Sequence, residues 1–298
     1  MSKQFTQLCF MSQERLKKYV TKELRKTHPA VIVDDGYVYA QGKFPVLLVA
    51  HLDTVHDKLP TSILYNTKEN SVSSTNGIGG DDRCGVYMIL EIIKKYNCSV
   101  LFCEDEEIGC VGADKFACSE TAKGLQFNYI MEFDRKGKND AVFYDCDNPE
   151  FEDFITKEFY KTNTGSFSDI SAIAPFLGCA AVNLSCGYYK AHTKEEYVVL
   201  SEMEKSIQEA CKILERTTEN DKFEYIEAEH FYSRYAGPQQ NYFGDAFYFM
   251  FSYINEEGKE EWYDTYAASE AEAIGMFCID NDTIPYRNIT DIFCEEAY

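Results

Sequence analysis

Short apolar runs alternate with stretches of helical periodicity over the first two thirds of the chain. Four runs are almost wholly apolar, as expected for strands buried on both faces of a sheet, and they occupy residues 44–50, 98–103, 127–133 and 179–186. Helical patterns occupy residues 12–26, 82–96, about 112–122, 150–161 and 201–215. Strands that alternate with helices of this length predict a three-layer α/β/α sandwich with a mostly parallel, mixed sheet.

The pattern changes near residue 218, where polar and charged residues lead into a different kind of segment. Two apolar and aromatic runs, 246–254 and 261–268, flank a polar turn and predict a hairpin. Ser269 and Glu272 then have the spacing of a capping box before a helix that reaches about Phe277. We therefore predict a large α/β domain over residues 1–218 and a small C-terminal α+β unit over residues 219–298.

Charge and cysteine content narrow the class of protein. The chain has 298 residues with 50 acidic and 29 basic side chains, and the net charge of -21 argues against a nucleic-acid partner and against an anionic membrane surface. No apolar stretch has the length of a signal peptide or a membrane span. The twelve cysteines include no CxxC pair, which argues against a thiolate zinc site and predicts free thiols and a cytoplasmic location.

Five short motifs carry the chemistry of the chain. They are HLD at 51–53, GGDDRCG at 79–85, EDEEIG at 104–109, EFDR at 132–135 and AHTKEE at 191–196. Each supplies a carboxylate or an imidazole, and four of the five follow an apolar run. Because ligands of open α/β sheets gather beyond the carboxyl ends of the strands, these side chains are expected to meet at one edge. Together they predict a two-metal hydrolase site.

Each motif also has a plainer interpretation when it is taken alone. Asp53 can orient the imidazole of His51, although HxD triplets are common by coincidence. Asp81 can bridge two ions or simply cap a helix. Asp134 has a ready ionic partner in Arg135, and a lone histidine such as His192 is commonly structural. The order of all five motifs along the chain favours the metal interpretation.

Glu106 and Glu107 are adjacent, so their side chains diverge and are expected to perform different tasks. One carboxylate can bind a metal ion, while the other remains free to take a proton from water. Taken alone, the acidic run would be an ordinary solvated loop.

HLDTV, GGDDRCG, DEEIG, the aspartate after a strand and the late histidine together resemble the zinc-dependent exopeptidase superfamily. This superfamily includes peptidase T, carboxypeptidase G, the acetylornithine deacetylases and bacterial leucine aminopeptidases. The resemblance spans roughly residues 45–215. It implies two divalent ions, zinc or alternatively cobalt or manganese.

The resemblance also implies a role for each motif residue. His51 and Asp134 would hold one ion, Glu107 and His192 the other, and Asp81 would bridge them. Asp53 would orient His51, and Glu106 would be the general base.

Two departures from the superfamily concern inserted domains. The deacetylase branch carries a dimerisation domain between its last two ligands, whereas only 58 positions separate Asp134 from His192. A second branch inserts a domain before the bridging aspartate, whereas 28 positions separate Asp53 from Asp81. Neither gap accommodates such a domain, so neither route to an oligomer is implied and the oligomeric state stays open.

Two further segments supply candidate substrate-binding residues. TGSFSDISAI contains Ser168 and Asp169, and it resembles a segment that borders the active site in related enzymes; the alternative is a helix start capped by either residue. Tyr188 and Tyr189 precede His192 and are candidates to stabilise a tetrahedral oxyanion by donating a hydrogen bond.

The resulting hypothesis is an aminopeptidase or dipeptidase that acts on short peptides. The nearest alternative in the same chemistry is an amidohydrolase that deacylates N-acyl amino acids. An alternative from another class is a catalytically silent metal-binding or interaction protein whose sandwich serves as a scaffold for the C-terminal unit.

Overall fold

The computed structural model describes residues 3–165, 167–228, 247–255, 258–267, 273–274, 276–277 and 289–296. Contacts between Cα atoms divide the chain into two compact units, Met1–Ala228 and Glu229–Tyr298. The division falls ten residues later than the boundary expected from composition. The reason is local, because bridges join Glu224 to Cys179 and Glu227 to Cys146, so that this segment runs along the first unit.

The first unit contains helices and strands in alternation, as the apolar pattern predicts. Its helices are α1 (Lys3–Cys9), α2 (Gln13–Leu24), α3 (Gly80–Ile92), α4 (Val111–Ala117), α5 (Pro149–Thr156), α6 (Asp169–Leu177) and α7 (Leu200–Arg216). Its strands are β1 (Val31–Asp34), β2 (Tyr37–Ala40), β3 (Phe44–His51), β4 (Leu64–Asn66), β5 (Ser71–Ser73), β6 (Cys98–Cys103), β7 (Tyr129–Arg135), β8 (Asp140–Val142), β9 (Lys161–Asn163), β10 (Ala181–Ser185), β11 (Tyr188–Tyr189) and β12 (Tyr197–Val199).

The main sheet has eight strands in the order β1-β2-β6-β3-β7-β10-β8-β9. Its centre, β6-β3-β7-β10, is parallel, whereas β1, β2 and β8 join by antiparallel pairing. The register places His51 beside Cys103 of β6, and Val49 beside Glu132 of β7. The four apolar runs form these four central strands, and the predicted mixed α/β fold is confirmed.

Alternate residues of each central strand face two different helical layers. Val46 and Leu48 of β3 pack in a core with α1, α2, α3, α5 and α7, whereas Leu47 and Val49 pack in a second core with α4 and α6. A strand that buries both faces in this way has a continuous run of apolar residues in its sequence. The sandwich therefore leaves the strand ends, rather than the sheet faces, available for function.

Helix boundaries follow local hydrogen bonds more closely than they follow periodicity. The helix expected at 12–26 is α2, which begins at Gln13 because the Ser12 hydroxyl accepts the N–H of Arg15. The helices expected at 112–122 and 150–161 end earlier than the pattern indicates, at Ala117 and Thr156.

A second, small sheet was missed by the hydrophobic pattern, since its strands have two or three residues each. It has the order β11-β12-β5-β4 and is antiparallel throughout. Pairing of β12 with β5 brings the loop between β11 and β12 close to the segment that precedes α3. This pairing links two motifs, at 79–85 and 191–196, that are far apart in the chain.

The C-terminal unit has a three-stranded antiparallel sheet in the order β14-β13-β15, formed by β13 (Phe247–Ile254), β14 (Glu260–Ala267) and β15 (Ile289–Glu296). The first two strands correspond to the predicted hairpin. Phe249, Phe251 and Phe277 are buried in its core. The predicted capping box of Ser269 and Glu272 lies outside the described residues.

Ten cysteines in the described part of the chain are free, and nine of these ten are buried. Burial raises the pKa of Cys9 to about 12, and it raises the pKa of Cys179 similarly, to about 12. These thiols therefore act as small apolar side chains. In the described residues, no helix combines the length and the apolar character that crossing a bilayer requires.

Candidate metal centre

The carboxyl edge of the parallel sheet gathers the acidic motifs. His51 is the last residue of β3, Asp134 is next to last in β7, and Glu106 and Glu107 follow the end of β6 within a few residues. Asp81 reaches the same edge from the start of α3, where Gly79 has a φ of 67° and turns the chain sharply into the helix. Parallel strands that end side by side place these groups together.

Asp81 lies at the centre of the cluster and faces two histidines. Its Oδ1 is 3.0 Å from His51 Nε2, and its Oδ2 is 3.3 Å from His192 Nε2. Each histidine also meets a second carboxylate. Asp134 Oδ1 is 3.4 Å from His51 Nε2, and Glu107 Oε2 is 3.1 Å from His192 Nε2. The five residues thus form two sets that share one aspartate.

The donor set fits a pair of divalent ions. The ligand atoms of His51, Asp81 and Asp134 lie within 4.8 Å of one another, and so do those of Asp81, Glu107 and His192. Donors bound tetrahedrally at about 2.1 Å from one ion lie about 3.4 Å apart, close to the distances seen here. Oε1 of Glu107 is buried and has no hydrogen-bond partner among the described residues, as expected for an oxygen that is satisfied by an ion.

The charges of the cluster compensate one another in the absence of an ion. Burial alone would raise the pKa of Asp81, but hydrogen bonds to His192 and His51 hold it well below its usual range. Hydrogen bonds to Asp81 and Glu107 raise the pKa of His192 to about 11. Burial raises the pKa of Asp134 to about 7, and the charge of Asp81 adds to this effect. Positive charge brought by an ion would therefore replace protons held here.

Asp53 fixes the position of His51 and of the acidic loop at the same time. Its Oδ1 is 3.1 Å from His51 Nδ1 and accepts the N–H of Glu106, while its Oδ2 accepts the N–H of Glu107. Burial acts to raise the pKa of Asp53, but the contact with His51 outweighs it and lowers the pKa. A carboxylate at Nδ1 leaves Nε2 free to bind an ion, which is the orienting arrangement expected from the sequence.

Glu106 belongs to neither of these two ligand sets, although its carboxylate also lies within 4.8 Å of donor atoms of His51 and Glu107. The Cys110 thiol, with its Sγ 3.7 Å away, donates to the Glu106 Oε1 atom. Burial raises the pKa of Glu106 well above its usual range, although His51 opposes the shift. A buried carboxyl group beside a candidate metal site is a candidate for the general base expected from the sequence.

Glu196 is a site residue that motif spacing did not identify. It is fully buried, and its Oε2 accepts the N–H of Gly79 while its Oε1 accepts the N–H of Asp81. His56 Nε2 lies 2.8 Å from the same Oε2. Glu196 therefore holds the backbone that presents Asp81. In the sequence, Glu196 belongs to a charged run after His192, and such a run is usually exposed to solvent. The pairing of β12 with β5 buries it, and only this pairing shows that Glu196 holds the backbone of Gly79 and Asp81.

A buried polar network supports Asp134 from behind. Its N–H donates to Asn183 Oδ1 on β10, and Asn183 Nδ2 donates to the hydroxyl of Ser168. That hydroxyl in turn donates to Glu132 Oε2 at 2.5 Å, and it lies 3.4 Å from Asp134 Oδ2. Ser168 is 1% exposed, so the structure places it beneath the site, where it orients a ligand, rather than in contact with substrate as expected.

Asp169 also lies below the site instead of lining it. Its side chain is fully buried, and neither carboxylate oxygen accepts a well-formed hydrogen bond from the described residues. Burial raises the pKa of Asp169 to about 7, while the Cys103 and Cys110 thiols act to lower it. A side chain in this position cannot touch a bound substrate, which corrects the expectation of direct contact.

A cavity of about 400 Å³ opens above the candidate metal ligands. Its walls include Glu106, Tyr144, Phe167 and Tyr188. Four of the five candidate ligands also line it: Asp81, Glu107, Asp134 and His192. His51 and Asp53 lie beneath this surface. The cavity thus exposes the general-base candidate and one side of the ligand sets to a substrate.

Of the two candidate tyrosines, the structure brings one to this cavity. Tyr188 lines it, but its hydroxyl donates to the backbone oxygen of Asp134 at 3.0 Å. The Tyr189 hydroxyl instead donates to Glu202 Oε2, and its ring stacks on Tyr197. Tyr189 is therefore turned towards α7, away from the cavity.

One protein-family model matches a large part of the first unit. The model of peptidase family M28 matches residues 37–173, a span that includes all the motifs except the last. No curated protein sequence matches the chain.

Solved structures share the fold at low sequence identity. The aminopeptidase PepT from Bacillus cereus is 15% identical with a TM-score of 0.59, and the match covers 71% of this chain and 96% of that one. A tripeptidase from Staphylococcus aureus is 14% identical with a TM-score of 0.56, over 70% of this chain and 95% of that one. An aminopeptidase from the archaeon Desulfurococcus kamchatkensis is 15% identical with a TM-score of 0.56, over 72% and 95%.

Proposed function

We propose that this chain, a metallopeptidase of the zinc-dependent exopeptidase superfamily, is a two-metal aminopeptidase or dipeptidase that acts on short peptides. One observation carries the proposal: both oxygens of Asp81 face histidines, and each histidine has its own second carboxylate. A bridged pair of sites of this kind suits hydrolysis of an amide bond. The similar structures named as aminopeptidases and a tripeptidase support the substrate class.

His51 and Asp134 would hold one ion, Glu107 and His192 the second, and Asp81 both. Bound there, divalent ions would polarise the scissile carbonyl and lower the pKa of a shared water to about 7. Zinc is the ion we propose, since histidine and carboxylate donors at these distances suit it; cobalt and manganese are the alternatives.

Glu106 would accept the proton of the attacking water and return it to the leaving amine. Burial raises the pKa of this carboxyl group, which favours holding the proton between the two steps. Asp53 keeps Nδ1 of His51 occupied so that Nε2 faces the ion. The Tyr188 hydroxyl, committed to Asp134, would hold that ligand in place rather than stabilise the oxyanion.

A substrate panel tests the proposed function. Aminoacyl anilides, dipeptides and N-acetyl amino acids are incubated with the zinc-loaded protein, and we expect turnover of the first two classes. Turnover of the acyl substrates alone would replace the peptidase with an N-acyl amino acid deacylase. Elemental analysis below one zinc, cobalt or manganese per chain after metal supplementation, with no turnover, would favour a catalytically silent interaction protein.

The variant Glu106→Gln tests the assignment of the base. We expect it to retain its metal content and to lose about 10²- to 10⁴-fold in kcat, because only proton transfer is removed. Glu104→Gln, on the same loop but with its carboxylate bonded to Lys17, is the matched control. Equal kcat for Glu106→Gln and the parent would contradict the role given to Glu106.

Two further assignments are proposals of the same kind. The free thiols of the described cysteines support a location in the reducing cytoplasm. The division of the chain supports a catalytic domain followed by a small C-terminal domain, whose role stays open.

A further inference from the structure

We propose that Lys136 and Lys190, together with Arg135, bind a carboxylate group of the substrate next to the scissile bond. The inference rests on the proposed function and specifies its substrates further: peptides with a free C-terminal carboxylate or an acidic side chain one residue from the bond that is cleaved. The three cations line the same cavity as the metal ligands.

Their presence is unexpected for the overall charge of the chain. The protein has a net charge of -21, and the cavity already contains the carboxylates of Asp81, Glu106, Glu107 and Asp134. Two divalent ions would offset these four negative charges without leaving a positive excess, so the ligand cluster alone gives an anionic substrate group no favourable place. Cations on one side of the cavity would give that group a favourable place and would fix the direction of the bound peptide.

The two lysines lie on neighbouring loops that are hydrogen-bonded to each other. The N–H of Gly137 donates to the Tyr188 oxygen at 2.9 Å, and the N–H of Gly187 donates to the Gly137 oxygen at 2.7 Å. The Lys190 backbone has a φ of 54°, and its oxygen accepts the hydroxyl of Thr193 at 2.8 Å. The two side chains therefore start from fixed and adjacent points.

Neither Lys136 nor Lys190 forms an ion pair with the carboxylates of the candidate metal ligands in the described part of the chain. Within the described residues, no carboxylate lies within 4.0 Å of the ammonium group of Lys136 or Lys190. Arg135 does not pair with Asp134 either, which removes the plain ionic explanation of that aspartate. Its Nη2 donates to the Thr164 oxygen, and its Nε lies 3.9 Å from Asp140 Oδ2. Two unpaired ammonium groups and one positioned guanidinium therefore remain for a ligand.

Chain geometry sets the distance to the reacting centre. Lys136 follows the ligand Asp134 by two positions, and Lys190 precedes the ligand His192 by two. Two residues span at most about 7 Å, and a lysine side chain is long and flexible. A carboxylate held between these lysines would therefore lie within reach of the substrate residue next to the scissile carbonyl, and in a dipeptide that residue carries the C-terminus.

Pairs of substrates that differ only in one carboxylate measure how much the cations contribute to substrate binding. One pair tests a C-terminal carboxylate, and the other tests a carboxylate on a side chain. Leu-Gly is compared with Leu-Gly-amide for the C-terminal group, and Leu-Asp-amide with Leu-Asn-amide for the side chain. We expect kcat/KM to be about tenfold higher for the charged member of one pair, the usual size of a charge-assisted hydrogen bond. The double variant Lys136→Gln/Lys190→Gln should lose that preference, because kcat/KM falls about tenfold more for the charged member of the pair than for the uncharged one.

Lys194→Gln is the matched control, because Lys194 follows His192 on the same loop but lines the neighbouring cavity. It should keep the preference of the parent. A parent that does not distinguish either pair would overturn the proposal, and so would a double variant that keeps the full preference.

Binding without turnover keeps this test separate from the proposed function. Calorimetric titration of zinc-loaded Glu106→Gln with Leu-Gly and with Leu-Gly-amide, and with the Asp and Asn pair, should show the same preference as a difference in Kd. Absence of peptide hydrolysis in the parent would refute the peptidase but leave this preference measurable. Equal or undetectable binding within both pairs would refute carboxylate recognition.

Discussion

The two histidines of the candidate metal centre face the same aspartate from very different surroundings. The His51 side chain is 1% exposed and ends a central strand, with Asp53 bonded to its Nδ1. The His192 side chain is 57% exposed and sits on a loop with a φ of 62°, in the left-handed region. One half of the centre is thus part of the core, while the other is brought to it by a loop.

The difference indicates how the centre combines rigidity with access. The buried half is fixed by the sheet register, by Asp53 and by the network behind Asp134, so its donors are in place before an ion binds. The exposed half is held chiefly by the pairing of β12 with β5 and by Glu196. We therefore expect mutations in the two halves to separate effects on folding from effects on metal binding.

The largest effect is expected where the two halves meet. Asp81→Asn removes the charge that both ligand sets share, so metal content after dialysis should fall to near zero and activity to background. Asp57→Asn, an exposed aspartate near the site, should retain both. Retention of one full ion by Asp81→Asn would show that the halves bind independently, which would contradict the bridging role.

Next, the two histidines should differ in their effect on folding. In chelator-treated protein, His51→Ala should lower the free energy of unfolding by about 3 kcal/mol, because it leaves buried carboxylates without their positive partner. His192→Ala should lower it less, by about 1 kcal/mol, because the imidazole is 57% exposed although its carboxylate partners Asp81 and Glu107 are buried. Denaturant unfolding measures both variants, and equal losses would remove the distinction between the halves.

A smaller effect on metal affinity is expected from Asp53→Asn. This change weakens the orientation of His51 and the hold on the amides of Glu106 and Glu107 while leaving every ligand in place. Loss of such an orienting partner reduces metal affinity by about 10- to 100-fold. Titration against a competing chelator measures the change, and an affinity equal to that of the parent would mean that the sheet alone fixes the imidazole.

The smallest expected effect concerns the buried acid below the site. The pKa of Asp169 is raised to about 7 from an ordinary value of 3.8, so its ionisation disfavours the folded state. Its contribution to stability is complete below about pH 4 and is lost as the pH rises through about 7. In chelated protein, Asp169→Asn should therefore raise the free energy of unfolding by on the order of 1 kcal/mol or more at pH 8. The variant and the parent should have the same free energy of unfolding at pH 4, and a gain of equal size at both pH values would contradict this explanation.

Motif residues and supporting residues differ in how far the sequence predicts them. His51, Asp81, Glu107, Asp134 and His192 were expected to meet because strand ends gather at one edge, and the structure brings all five together. Their assigned roles stay predictions until metal content and turnover are measured. Glu196 and Asn183 were not expected, because nothing in their local pattern distinguishes a buried hydrogen-bond acceptor from an ordinary polar residue.

Ser168 and Asp169 illustrate the opposite error. Their segment resembled one that borders an active site, and the structure does place it beside the cluster. The direction of each side chain depends on how α6 packs against β7 and β10, however, and that packing turns both residues towards the buried side of the site. Sequence resemblance located the segment but not the face that it presents.

The pattern of apolar and polar residues predicts the parallel centre of the sheet, the helices that cover it and the edge at which the acidic motifs meet, since burial on two faces leaves a continuous apolar run. The same pattern does not predict which oxygen of Asp81 faces which histidine, which carboxylates lie buried beneath them, or that three cations line their cavity. These features depend on contacts between residues distant in the chain, and no local pattern of side chains encodes such contacts.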